Sequence, residues 1–212
     1  MDDVGAKKTP SIYIVGAQCS GKTTLTMALK ERFSSDPSLP PIVVLTEAAR
    51  GVLKRHNFTR NDIREDVERC LELQRLILEA QWTEELKISN ESMLISDRSG
   101  IDPIVYAARY AQSVGRKSLL DSLAWRELRN RMSRSLVVVC EPVESWLKDD
   151  GVRLMPIDMG EWFEIHRSFC AHLEDAKIDF CVLSADKVGV SDRVEFVADQ
   201  WKRFVSSAKY AL

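Results

Sequence analysis

The stretch Gly16-Ala17-Gln18-Cys19-Ser20-Gly21-Lys22-Thr23 reads G-x-x-x-x-G-K-T. It follows the apolar run Ile12-Tyr13-Ile14-Val15 and opens a helical stretch, Lys22–Phe33. No other feature narrows the accessible folds so far. Strand, glycine-bounded loop and helix in that order form a phosphate-binding loop. Glycines at both ends let the backbone curl until successive N–H groups point inward. The N-terminus of the following helix adds partial positive charge to that nest. Gly16 through Thr24 are therefore expected to hold the phosphates of a nucleoside triphosphate. Lys22 would reach the outer phosphates, and the Thr23 hydroxyl would hold Mg²⁺.

The rest of the chain fits a strand-and-helix domain around that loop. Candidate strands are Ile12–Val15, Ile42–Thr46, Met93–Ser96, Leu136–Cys140 and Phe180–Leu183. They are short and continuously apolar, as buried parallel strands are, and they alternate with helical stretches. Thr59 and Asp62 can form a capping box before a long helix, Ile63–Ile88. Asp102-Pro103 reads as a cap followed by proline at the first helical position, Ser118 to Asp121 as another helix start, and Asp158 with Glu161 as the next. The last helix is expected near Ser191, with Val194, Val197, Trp201 and Phe204 as its buried face. His166 falls on the apolar stripe Trp162, Phe169, Cys170 and Leu173 and reads as a core residue.

With 212 residues, 45% apolar and 29% charged, the chain has the make-up of a globular protein with an ample core. Residues 1–10 read as a loose polar tail and residues 11–212 as one domain. A net charge of −2 gives no support for general nucleic-acid binding. No apolar run approaches the length of a membrane span, and the polar N-terminus lacks a signal-peptide core. The five cysteines are scattered and form no C-x-x-C pair, so a reducing, cytoplasmic setting is expected. His166 and His172 lack the spacing of zinc ligands on one helix face.

Ligands of parallel sheets bind beyond the carboxyl ends of the strands, so the residues there are the candidates for chemistry. After the second strand stands Glu47, a carboxylate able to take a proton from a substrate hydroxyl, with Arg50 placed to bind an anionic part of the substrate. After the third comes Met93-Leu94-Ile95-Ser96-Asp97, a Walker B pattern whose Asp97 would engage Mg²⁺; Ser96 interrupts its apolar run. Arg98 beside it would touch substrate or phosphate, or serve as a structural ion-pair partner. After the fourth, the glycine-containing segment Trp146 to Arg153 reads as a lid, with Arg153 able to swing onto the transferring phosphoryl group, or as an ordinary loop. After the fifth, Ser184 to Lys187 would lie near the nucleotide base.

Together, GAQCSGKT, Glu47-Ala48-Ala49-Arg50, the long helix before ISDRS, and Trp146 to Arg153 after LVVVCE resemble the NadR/AAA-type P-loop family, which is ribosylnicotinamide kinase-like. Asp97-Arg98-Ser99 also looks like the D/E-R-S segment of deoxynucleoside kinases, where an acidic residue at the position of Glu47 is the expected base. The resemblance implies a P-loop NTPase fold of three α/β/α layers, with a five-stranded parallel sheet in the order 2-3-1-4-5. It implies ATP (or GTP) and Mg²⁺ as the donor pair and a small-molecule, nucleoside-like acceptor. The same family holds GTP-binding trafficking proteins. A nucleotide-binding regulator or a slow NTPase is therefore the rival to a kinase. Acceptor, preferred base and oligomeric state stay open at this point.

Overall fold

Five apolar segments become strands: β1 (Ile12–Val15), β2 (Ile42–Leu45), β3 (Met93–Asp97), β4 (Leu136–Cys140) and β5 (Cys181–Leu183). In the computed structural model, which describes residues 10–46, 48–148 and 154–207, they pair in parallel in the order β2-β3-β1-β4-β5. This is the expected order, with the strand that feeds the phosphate loop at the centre. The bounds differ by a residue at three ends: β2 stops at Leu45, β3 runs on through Asp97, and β5 starts at Cys181.

Alternation along β1 sends its side chains to opposite faces and so defines the layers. Ile12 and Ile14 pack with Leu25, Leu29 and Phe33 of α1 (Lys22–Ser34) and with Val194, Val197 and Trp201 of α9 (Val190–Ser206). Tyr13 and Val15 join the other face. That face is covered by α2 (Ala48–Arg55), α3 (Arg60–Glu65), α4 (Val67–Leu86), α5 (Ile101–Tyr110), α7 (Leu123–Met132) and α8 (Met159–Asp175), while α6 (Gln112–Leu120) packs beside α5. Each fully buried Leu, Ile or Val on these faces contributes roughly 1.5–3 kcal/mol.

Ser96, which seemed to weaken the third strand, belongs to a buried polar chain. Tyr13 and Ser96 are partners in the β1–β3 register. The Tyr13 hydroxyl donates to Glu85 at 2.8 Å, and Gln81 Nε2 donates to both Glu85 and Ser96 Oγ, at 2.9 and 3.1 Å. Arg131 lies 3.6 Å from the same carboxylate. The hydroxyl of Ser96 is thus satisfied in the core, and the strand tolerates it.

Three helix starts differ from the sequence reading. The long helix is two, α3 and α4. Asp66 adopts an extended conformation, and its carboxylate accepts from the N–H groups of Glu68 and Arg69, both at 3.0 Å. A side chain that satisfies those donors starts a new helix rather than continuing the old one. The Thr59–Asp62 capping box forms as expected. At α5 the cap is not Asp102: Ser99 Oγ accepts from the N–H of Ile101, while Asp102 accepts from the N–H of Ser99. Pro103 is the third residue of α5 and not the first; it still falls within the first turn, where its missing N–H costs nothing. Ser118 lies inside α6, and Ser122 caps α7 by accepting from Trp125 at 3.1 Å. Asp158 caps α8 as expected, accepting from Glu161 at 2.8 Å. Glu161 then gathers three side-chain donors from two helices, Arg64 of α3 at 2.7 Å and Tyr110 and Arg109 of α5 at 2.9 and 3.2 Å, and the Ile157 amide closes the set.

Candidate functional site

Gly16 has φ +132°, and a Cβ there would lie 2.6 Å from the Cys140 carbonyl oxygen at the end of β4. Gly21 has φ +76°, and a Cβ there would lie 2.6 Å from the Trp146 ring. Both positions exclude side chains on two grounds, backbone conformation and space. Between them the loop is pinned by groups far away in sequence. Trp162 Nε1 donates to the Gln18 carbonyl at 2.8 Å, and Arg193 Nη2 donates to the Ser20 carbonyl at 2.9 Å. Tyr106 donates to the Gln18 side chain at 3.0 Å, and the Cys19 thiol to the Lys148 carbonyl at 3.5 Å. The loop is therefore a shaped, pre-formed concavity. It opens into a cleft of about 370 Å³ that also touches Thr24, Asp97, Arg98, Trp146 and Arg193.

Lys22 lies at the floor of the loop and is 5% exposed. Its Nζ donates to the Ala17 carbonyl at 2.6 Å and to Ser20 Oγ at 3.3 Å. Burial and the neighbouring Arg98 guanidinium lower its pKa to about 8; Asp97 and Asp102 oppose the shift. Among the described residues no carboxylate forms a direct ion pair with this ammonium, and a bound polyphosphate would supply that anionic partner. The Thr23 hydroxyl donates to Asp97 at 2.5 Å. Register explains the meeting, because Ile14, two residues before Gly16, pairs with Asp97. One hydroxyl and one carboxylate are hard oxygen donors, the set Mg²⁺ takes when phosphates and water complete its shell. Among the described residues no cluster of three or more His, Cys, Asp or Glu side chains offers a richer metal site. Glu141, the other carboxylate at a strand end near the loop, accepts from the Ala185 N–H at 2.9 Å and faces His166 at 3.9 Å. His166 is half-buried, and burial lowers its pKa against the pull of Glu141.

Arg98 has φ +85°, a conformation that non-glycine residues adopt rarely and at a cost of roughly 1–3 kcal/mol. Its Nη1 pairs with Asp102 at 3.0 Å, and both side chains are largely buried. Burial pushes the Asp102 carboxyl up, while Arg98 and Lys22 pull it down. Two cations and two carboxylates thus share the end of the phosphate loop. Arg98 also borders a second, mostly apolar cleft of about 80 Å³, walled by Leu53, Gln74, Pro103 and Tyr106 and edged by the exposed Arg50. The two clefts meet at Arg98.

The structure thus brings together Gly16, Ala17, Gln18, Cys19, Ser20, Gly21, Lys22, Thr23, Thr24, Asp97 and Arg98, and sets Arg50 at the second cleft. Glu47 and Arg153 lie outside the described residues, as do residues 149–152 of the segment Trp146 to Arg153, the expected lid or ordinary loop. Sequence reasoning missed Gln74, Asp102, Tyr106 and Arg193 as site residues. Gln74 interrupts the apolar stripe of α4 and Arg193 the buried face of α9, and a polar side chain out of pattern was the only signal available.

Solved structures share this arrangement of strands and helices. NadR protein in complex with NAD and AMP-PNP superposes with a TM-score of 0.68 at 15% identity, over 95% of this chain and 51% of that one. Deoxyadenosine kinase from M. mycoides with bound dATP gives 0.61 at 15% identity, over 92% and 100% of the two chains. Shikimate kinase from Acinetobacter baumannii in complex with shikimate gives 0.53 at 14% identity, over 95% and 97%. At these identities the likeness is one of fold, and this chain spans about half the length of the NadR chain. No curated protein sequence matches it. The sequence pattern of the AAA domain family, however, matches residues 11–193, a span that starts at β1 and takes in the phosphate loop, Asp97 and Arg193. The chain therefore belongs to the AAA domain family.

Proposed function

We propose that the protein is an ATP- (or GTP-) and Mg²⁺-dependent kinase of a small, nucleoside-like molecule. The observation that carries this reading is the pair of clefts meeting at Arg98. One is built around the phosphate loop, with polar and apolar lining in nearly equal parts; the other is mostly apolar, with a few polar groups at its edge. A hydrolase or a nucleotide sensor needs only the first. An enzyme that moves a phosphoryl group to a second molecule needs both, side by side.

In this reading the loop amides and Lys22 hold the donor phosphates, and Thr23 and Asp97 hold Mg²⁺, which would neutralise charge on them. The acceptor lies against Leu53, Gln74 and Tyr106, with Arg50 and Arg98 toward its polar end. Glu47 takes the acceptor's hydroxyl proton as its oxygen bonds to the γ-phosphorus. The bond from that phosphorus to the bridging oxygen breaks, and the nucleoside diphosphate leaves with the electron pair. Arg98 and Lys22 face the charge that builds on the transferring group, and Arg153 would reach it from the lid.

The test is an acceptor screen with the purified protein. ADP release is followed with nucleosides, nicotinamide riboside and other small hydroxyl compounds, and products are identified by mass. At least one acceptor should raise ADP release above background. Glu47→Gln should then lower transfer roughly a hundredfold with ATP affinity little changed. Tight nucleotide binding that no acceptor stimulates would replace the kinase by the regulatory reading.

A further inference from the structure

The cleft around the phosphate loop extends away from the acceptor side. Arg98 and the second cleft lie toward β2, α4 and α5, whereas Trp146 follows β4 and Arg193 stands in the first turns of α9 after β5. A triphosphate whose outer phosphate faces Arg98 must therefore direct its nucleoside toward Trp146.

What stands there is unusual. Arg193 is 2% exposed. One of its N–H groups pins the Ser20 carbonyl, and the Cys140 thiol lies beside the guanidinium; among the described residues Nε and Nη1 have no oxygen or nitrogen acceptor. Its guanidinium carbon sits 4.9 Å from the centre of the Trp146 ring. Burying a cation with two donors short of an oxygen or nitrogen acceptor is costly. A neutral donor would suffice to pin one carbonyl. The indole face is the feature that uses the charge, since its negative quadrupole offsets part of the lost solvation. Trp146 is in turn fixed by its edge contact with Gly21, yet it remains partly exposed as a wall of the cleft. Val190, 44% exposed, lines the same cleft. A rigid indole and an open valine beside a phosphate nest are apolar surface placed where a polar ligand would not use it, and a planar base would.

We propose that Trp146, held and backed by Arg193, is the stacking platform for the nucleobase of the donor triphosphate. The proposal rests on the nucleotide-binding part of the reading above and does not depend on the acceptor. Stacking on an aromatic side chain tolerates any base, because every base offers a π-face.

Calorimetry with Mg²⁺ and three probes, ATP, GTP and inorganic tripolyphosphate, tests it on the wild type, Trp146→Ala and Trp146→Phe. The wild type should bind ATP or GTP more tightly than tripolyphosphate. Trp146→Ala should weaken the nucleotide by roughly tenfold to a hundredfold and leave tripolyphosphate affinity unchanged, which also reports an intact loop. Trp146→Phe should recover much of the loss. Equal wild-type affinity for ATP, GTP and tripolyphosphate overturns the platform and leaves the phosphate loop standing. So does a Trp146→Ala variant that weakens all three probes alike, or none. A wild type that binds none of the three overturns the nucleotide reading, and the platform with it.

Discussion

Lys22→Met should make the ligand-free protein more stable while weakening the binding of a triphosphate. The ammonium is 5% exposed, and burial, with Arg98 close by, lowers its pKa from 10.5 to about 8. A fall of that size corresponds to about 3 kcal/mol of destabilisation at neutral pH. The hydrogen bonds to the Ala17 carbonyl and Ser20 Oγ offset roughly 1 kcal/mol each and vanish in the variant. The Ala17 carbonyl keeps a partner, because Ser20 Oγ donates to it at 2.8 Å. The net expectation is a variant about 1–2 kcal/mol more stable at pH 7. The sign of the pH dependence follows from the lowered pKa. Below about pH 8 both folded and unfolded chains hold the proton, and the cost is present in full. Between there and 10.5 the unfolded chain holds more protons, so the stability of the wild type rises with pH and the gap closes. Urea unfolding of both proteins across this range measures it. The same variant should bind triphosphate about 2–3 kcal/mol more weakly. A variant less stable than the wild type at pH 7, with a difference that pH does not change, would refute the argument that the loop holds a desolvated charge.

Asp97→Asn keeps the shape at the end of β3 but removes the charge beside Thr23. Mg²⁺-dependent turnover should drop sharply, with a much smaller effect on Mg²⁺-free nucleotide binding; full activity would move the metal carboxylate elsewhere. Glu161→Gln addresses acid stability. Burial raises the Glu161 pKa, but hydrogen bonds from Arg64, the Ile157 amide, Tyr110 and Arg109 outweigh it and bring the value from 4.5 down to about 2. Its stabilisation is present above pH 4.5 and is lost as pH falls toward 2. The variant should be less stable at neutral pH and should shed less stability across that window. Parallel pH curves in urea would contradict this.

Short-range chemistry made much of this molecule legible. A phosphate loop is a local device: the positive φ angles at Gly16 and Gly21 and the helix that opens at Lys22 come from nearly consecutive residues, so their spacing makes the motif legible. Apolar runs report buried strands for the same reason, and Asp158 and Thr59 report helix starts because caps act over three residues. Strand order was reached through resemblance to a family, not from any single run. Where side chains had two local options the sequence was ambiguous: Asp66 splits a helix that its apolar stripe would continue, and Asp102 stands inside α5, accepting from the Ser99 N–H and pairing with Arg98. Contacts across the fold were beyond reach. That Ser96 is paid for by Gln81 and Tyr13, that Arg98 takes a strained φ between two clefts, and that Arg193 and Trp146 meet beside Gly21 depend on register and on helices brought together from opposite ends of the chain. The sequence by itself determined the phosphate loop, because that loop is made by consecutive residues; only the tertiary structure decided what surrounds it, because side chains distant in sequence meet only once the sheet has set the register and the layers have closed.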